Sequence, residues 1–247
     1  MENNNSIKSP IEREAINESN VIAKSFLANV FTYMSAALGI TGLIAYLFGT
    51  DINLLAILYH VENGILTKPN VLGYIVMFAP FGFVLLMSGG FQRFSSLTLS
   101  VLFVIFAVLM GMSLSTIFLI YTGTSIFSTF IITAGTFGIM AVLGYTTKTD
   151  LTKFGSILMM GLIGIILASI VNMFVGSGTM ELIISVLGVL IFTGLTAYDV
   201  QKLKRIGSGV EYGTDTTNKL AIMGALNLYL DFINLFLFLL RFMGNRK

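Results

Sequence analysis

The sequence predicts an all-α membrane protein, a bundle of seven transmembrane helices, and three observations carry that prediction. Of its 247 residues 55% are hydrophobic and only 11% charged, with a mean hydropathy of +0.90, a balance outside the range of soluble domains. Apolar runs long enough to cross a hydrocarbon core of ~30 Å recur seven times. The last of them, from Leu220 to Met243, is 24 residues or ~36 Å of helix and carries Asp231 in its interior. A carboxylate there costs ~2.5 to 3.5 kcal/mol against lipid, so Asp231 is expected to face protein or a water-filled cavity.

The chain opens with a polar stretch of mixed charge, Met1 to Lys24, within which Ile7 to Lys24 reads as an amphipathic surface helix. It lacks the basic start and short apolar core of a cleaved leader, so residues 25–247 are expected to form one seven-helix domain behind a 24-residue tail. The spans are read at 26–48, 72–91, 97–121, 125–146, 155–176, 181–201 and 220–243. Between the first two, Asp51 to Asn70 contains LLAILYHV, too short to cross and read as an interfacial or re-entrant piece closed by Pro69-Asn70. Ile206 to Asn218, rich in Gly, Ser and Thr, is expected to be a long surface loop.

Lysine and arginine placement predicts orientation. With the N-terminus inside, ten of the 14 basic residues (Lys8, Arg13, Lys24, Arg93, Lys148, Lys153, Lys202, Lys204, Arg205 and Lys219) fall on the inner side. Lys68, Arg241, Arg246 and Lys247 fall outside, the basic C-terminus being the one feature that opposes the rule.

Within the spans, the glycine pairs Gly39/Gly42, Gly135/Gly138 and Gly161/Gly164 are read as places where helix backbones approach closely. Pro80 frees a carbonyl and is expected to kink the second span. Asn29 and Asn172 are expected to make interhelical hydrogen bonds. His60 stands alone in the outer segment and receives no ligand role. With no cysteine and one histidine, thiolate and most zinc chemistry is excluded.

The polar residues of the last two spans carry the chemistry. Asp199 lies near the inner end of the sixth span in TGLTAYDVQKLKR, and Asp231 lies deeper in the seventh, with Gly224, Asn227 and Asn234 on its face at helical spacing. If these carboxyls meet across two antiparallel neighbours, both cannot ionise cheaply, and the pair shares a proton. For the two to be level, the last helix must begin outside the hydrocarbon. Asp199 by itself also reads as a helix-end carboxylate reaching water beside Lys202. Arg93, at the inner end of the second span, reads either as a neutralising partner for the aspartates or as a mark of the inner side.

Three passages, SFLANVFTYMSAALGITGLIAYLFG, AYDVQKLKR and LYLDFINLFLFLLRF, resemble the Bax inhibitor 1 family, specifically its bacterial inner-membrane branch, and the resemblance runs from Ser25 onward. It implies a seven-helix fold with the last helix held centrally, an inner-membrane location with the N-terminus cytoplasmic, and a pH-sensitive calcium leak governed by two aspartates. Those positions fall on Asp199 and Asp231, and the arginine that can hold the pair closed falls on Arg93. Asn227 and Asn234 are carried as supporting polar groups. Some members have a further acidic residue in the second helix; the corresponding place here is near Gly82. No tightly bound cofactor is expected, with Ca²⁺ a permeant or weakly bound ion on the two carboxylates.

Two other classes compete. An intramembrane aspartyl protease also uses two membrane aspartates, and Tyr198-Asp199 fits its first motif, but GxGD and Pro-Ala-Leu are both missing. The resemblance also implies a binding regulator of a membrane-anchored ATP-dependent protease, for which the polar tail is the candidate contact.

Overall fold

The computed structural model describes residues 10–62, 65–211 and 213–247. It is an α-helical bundle with seven helices long and apolar enough to span a membrane. Helix α1 (Pro10–Thr50) runs unbroken for 41 residues. The surface helix expected before Lys24 is therefore no separate element: after Pro10, a residue suited to the first helical turn, nothing in the chain breaks the helix before Thr50. Asp51 ends it by capping α2 (Ile52–Leu58), accepting a hydrogen bond from the Asn53 amide.

The segment read as interfacial resolves into α2 and a hairpin of β1 (Tyr59–Glu62) and β2 (Ile65–Pro69), antiparallel with Val61 opposite Leu66. This hairpin was not foreseen from the apolar run, which looks helical through its leucines. It docks where α3 (Val71–Gly90) begins: Asn70 accepts from the Gly73 amide and donates to the Ile57 carbonyl. A side chain at Gly73 would meet the Leu58 carbonyl oxygen at 2.1 Å, so the close approach requires glycine. Pro80 lies inside α3 without ending it.

The remaining helices are α4 (Ser96–Leu114), the short α5 (Ile117–Ile120), α6 (Gly123–Thr146), α7 (Thr152–Val175), α8 (Gly178–Ser208) and α9 (Asp215–Met243). Ser95, Thr122, Ser177 and Thr214 each cap the helix that follows through a side-chain oxygen. The Thr214 cap shortens the expected surface loop to residues 209–214, because Ile206 to Ser208 continue α8 and Asp215 to Asn218 already belong to α9.

Helix α9 is central: 67% of its apolar window is buried, against 11% for α7. It packs on α8, α1, α6 and α4, while α7 lies against α8 and α3 against α4. Tyr229 ties three of these helices together. Fully buried, it shares a 2.7 Å hydrogen bond with Thr41, whose hydroxyl donates to the Ala107 carbonyl, and its ring meets Phe103 and Phe106 edge-on.

The intraspan glycines correct the sequence reading. A Cβ at Gly39, Gly42, Gly135, Gly138 or Gly164 meets nothing within 4 Å; of the paired glycines only Gly161 packs, 3.0 Å from Ile191. Helix–helix contact is instead made at Gly144, where a Cβ would sit 2.2 Å from the Ala197 carbonyl, and at Gly224 against Leu203. Spacing identifies a helical face, and only the neighbour's position decides what that face meets. Asn29 is exposed, and Asn172 accepts from the Ser177 amide at its own helix end, so among the described residues neither makes the interhelical bond expected of it.

Candidate functional site

The sequence order AYDVQ places Asp199 on the α9-facing side of α8, and α9 carries Asp231 to the same level. Nine residues of α8 follow Asp199 and sixteen of α9 precede Asp231, ~13 Å and ~24 Å of helix, so α9 does begin well before the depth of the pair. The two carboxyl groups come close enough to interact with each other. A hydrogen bond between them would require one shared proton, since two carboxylates offer only acceptors. Asp231 is 6% exposed and Asp199 half-buried. The Oδ2 atom of Asp231 is buried without a hydrogen-bonding partner among the described residues. An orphan carboxyl oxygen in an apolar seam is costly, which marks this as a place where chemistry, not stability, sets the residue.

The surrounding helix ends are clamped in two groups. On one side the C-terminal part of α8 is fixed to the turn between α6 and α7. Gln201 accepts from the Leu151 amide and donates to the Thr149 carbonyl, and Lys204 donates to the Tyr145 carbonyl while standing 4.6 Å over its ring. Arg205 pairs with Asp150 at 3.0 Å. The Asp150 carboxyl is held below the usual carboxylate range, first by hydrogen bonds from the Thr152 side chain and backbone and then by Arg205.

On the other side the start of α9 is fixed to the turn between α3 and α4. The Ser96 amide donates to Asp215, and Lys219 donates to the Phe91 carbonyl, lies 5.3 Å from its ring and pairs with Asp215 at 3.8 Å. The aspartate pair therefore sits on the seam between two groups of helix ends, each internally bonded.

The C-terminal end of α9 is pinned differently. After Met243 the chain pairs in a single bridge with Tyr121, the Asn245 amide donates to Ser125 and Lys247 to the Phe118 carbonyl. Glu181, at the start of α8, lies 3.9 Å from Arg241 and 3.2 Å from Arg246. Two of the basic residues that oppose the inner-side bias are thus neutralised locally.

Of the residues read from sequence, Asp199 and Asp231 are brought together. Arg93 is not beside them: it is exposed, in the turn between α3 and α4, and takes part in no ion pair among the described residues. The cation that reaches Asp199 electrostatically is Lys202. Asn234 donates to the Leu230 carbonyl of its own helix, and Asn227 is exposed, so the polar face of α9 is not buried along its whole length. Among the described residues no group of three or more His, Cys, Asp or Glu comes together, so a divalent cation at the pair would have two carboxyls and no third acidic ligand. Residues 1–9 of the polar tail, part of the candidate protease contact, lie outside the described residues. Asp215 lay in what looked like loop and Lys219 was read only as a basic residue of the inner side, so neither was assigned a bonding role; the capping threonine three residues before Thr217 was the signal.

Residues 23–247 match the family described as inhibitor of apoptosis-promoting Bax1. The chain is 47% identical to an uncharacterized protein of Borreliella burgdorferi over 92% of this chain and 94% of that one. It is 42% identical to the inner membrane protein YbhL of Escherichia coli, over 91% and 93% respectively. With an uncharacterized membrane protein of Streptococcus pyogenes it shares 34% identity over 92% and 95%.

Proposed function

The chain is a member of the Bax inhibitor-1 family that spans a membrane seven times, and from that premise we propose that it is a proton-gated, calcium-permeable leak of the bacterial inner membrane, its N-terminus cytoplasmic. The observation that carries the reading is the carboxyl–carboxyl contact between Asp199 and Asp231 in a seam where one oxygen has no partner. With one proton shared, the pair bonds α8 to α9 and the inner mouth is closed. When that proton leaves, two like charges face each other in a medium of low dielectric, and repulsion separates the helices. Each helix end moves with the turn it is bonded to, so the opening runs between the α6–α7 and α3–α4 turns.

The exposed pair then offers hard oxygen ligands to Ca²⁺, and two carboxyls bind it weakly enough for release. Arg93 is the neutralising partner of a second arrangement, in which the α3–α4 turn has swung toward the pair.

The test is calcium flux into liposomes holding the purified protein, scanned across pH. Flux is expected to rise as pH rises, Asp199→Asn and Asp231→Asn to flatten the profile, and the double-mutant cycle to show a coupling of about 1 kcal/mol or more, roughly fivefold in flux. Additive single effects would mean that the carboxyls do not interact in the working protein. Arg93→Ala is expected to raise flux; equal flux at every pH leaves Arg93 only as a mark of the inner side.

A further inference from the structure

Helices α1 and α6 do not pack against each other at the depth of the bundle; a cleft of about 950 Å³ lies between them, floored by Phe137 and by Phe232 of α9. Its apolar walls include three of the glycines that the sequence reading assigned to helix contact. Gly39 and Gly42 of α1 and Gly138 of α6 are all exposed and have nothing within 4 Å of where a Cβ would stand. Lys24, exposed, stands at one end.

We propose that this cleft binds an acyl chain of an anionic phospholipid, with the phosphate held at Lys24. Three features select that occupant. The cleft lies between two spans, at a depth where hydrocarbon is the solvent, and its apolar walls give water too few polar partners to fill it. From Lys24 to Leu43 the α1 wall is ~28 Å long, enough to carry a chain from the headgroup layer past the middle of a ~30 Å core. The missing glycine side chains make a recess in which a chain is enclosed on three sides, unlike the lipid on the convex faces of the bundle. Lys24, the charged residue among the described lining residues, is positive, which suits a phosphate.

The experiment is native mass spectrometry of the full chain, released from mixed micelles with phosphatidylglycerol or phosphatidylcholine. The wild type is expected to retain phosphatidylglycerol with about a fivefold preference over phosphatidylcholine. Gly138→Leu and Gly39→Leu, whose new side chains enter open space, are expected to lose retention of both lipids while melting no lower than the wild type. Lys24→Gln is expected to lose the preference and keep the chain. Independently of any variant, phosphatidylglycerol with a photoreactive tail should label α1 and α6 between Ala28 and Gly138 in preference to α7. Undiminished retention in both leucine variants, equal retention of the two lipids by the wild type, or labelling spread evenly over α7 would each overturn the proposal.

Discussion

Gly138 and Gly144 lie six residues apart on α6, and they do opposite things. Gly144 lets α6 press against the backbone of α8, where any side chain would strike the Ala197 carbonyl; Gly138 leaves a hollow that no helix fills. One helix thus has a sealed seam on one face and an open cleft on another. The difference teaches that a small residue in a membrane span records an absence of volume and nothing about its use. The sealed face of α6 meets α8, whose other side carries Asp199 toward the buried Asp231 of α9; the open face is a largely apolar wall with Lys24 at one end.

The sharpest way to break this contrast is at the seam. Gly144→Ala puts a methyl against rigid backbone, and a cost of about 3 kcal/mol is expected, read as a large fall in the thermal midpoint in detergent. An unchanged midpoint would mean that the α6–α8 seam is looser than described.

A smaller effect is expected at the pair. Asp199→Ala removes the group that meets Asp231 and leaves a buried carboxyl with less to bond, costing about 1 to 3 kcal/mol. Asp199→Asn, which keeps a donor, should cost less; if the two variants melt together, the contact contributes little to the folded state.

At the cleft the sign reverses. Gly39→Ala and Gly138→Ala add a methyl to open space and reduce the freedom of the unfolded chain, so each should stabilise by about 0.5 to 1 kcal/mol. The same substitution thus destabilises at residue 144 and stabilises at residue 138. Equal signs at the two positions would erase the distinction between seam and cleft.

Much of the molecule was legible in its sequence because the determining physics is local. A run of apolar residues must leave water whatever it packs against, so all seven spans emerged, their ends within seven residues of the helices. Asp231 was legible for the same reason: a charge in the middle of such a run has no inexpensive place except against protein. What only the tertiary structure decided are matters of which face meets which. Composition could not say that Tyr59 to Pro69 would turn back on itself as a hairpin, because those residues suit either form until the start of α3 fixes them. It could not say that Arg93 would stand clear while Lys219 and Asp215 hold the α3–α4 turn, since that depends on how far α9 projects beyond the bundle. Nor could it tell an empty glycine from a packed one. Hydropathy and capping are properties of a short window of chain, whereas contact between faces is a property of distances between helices, and those are set only when the whole bundle has closed around α9.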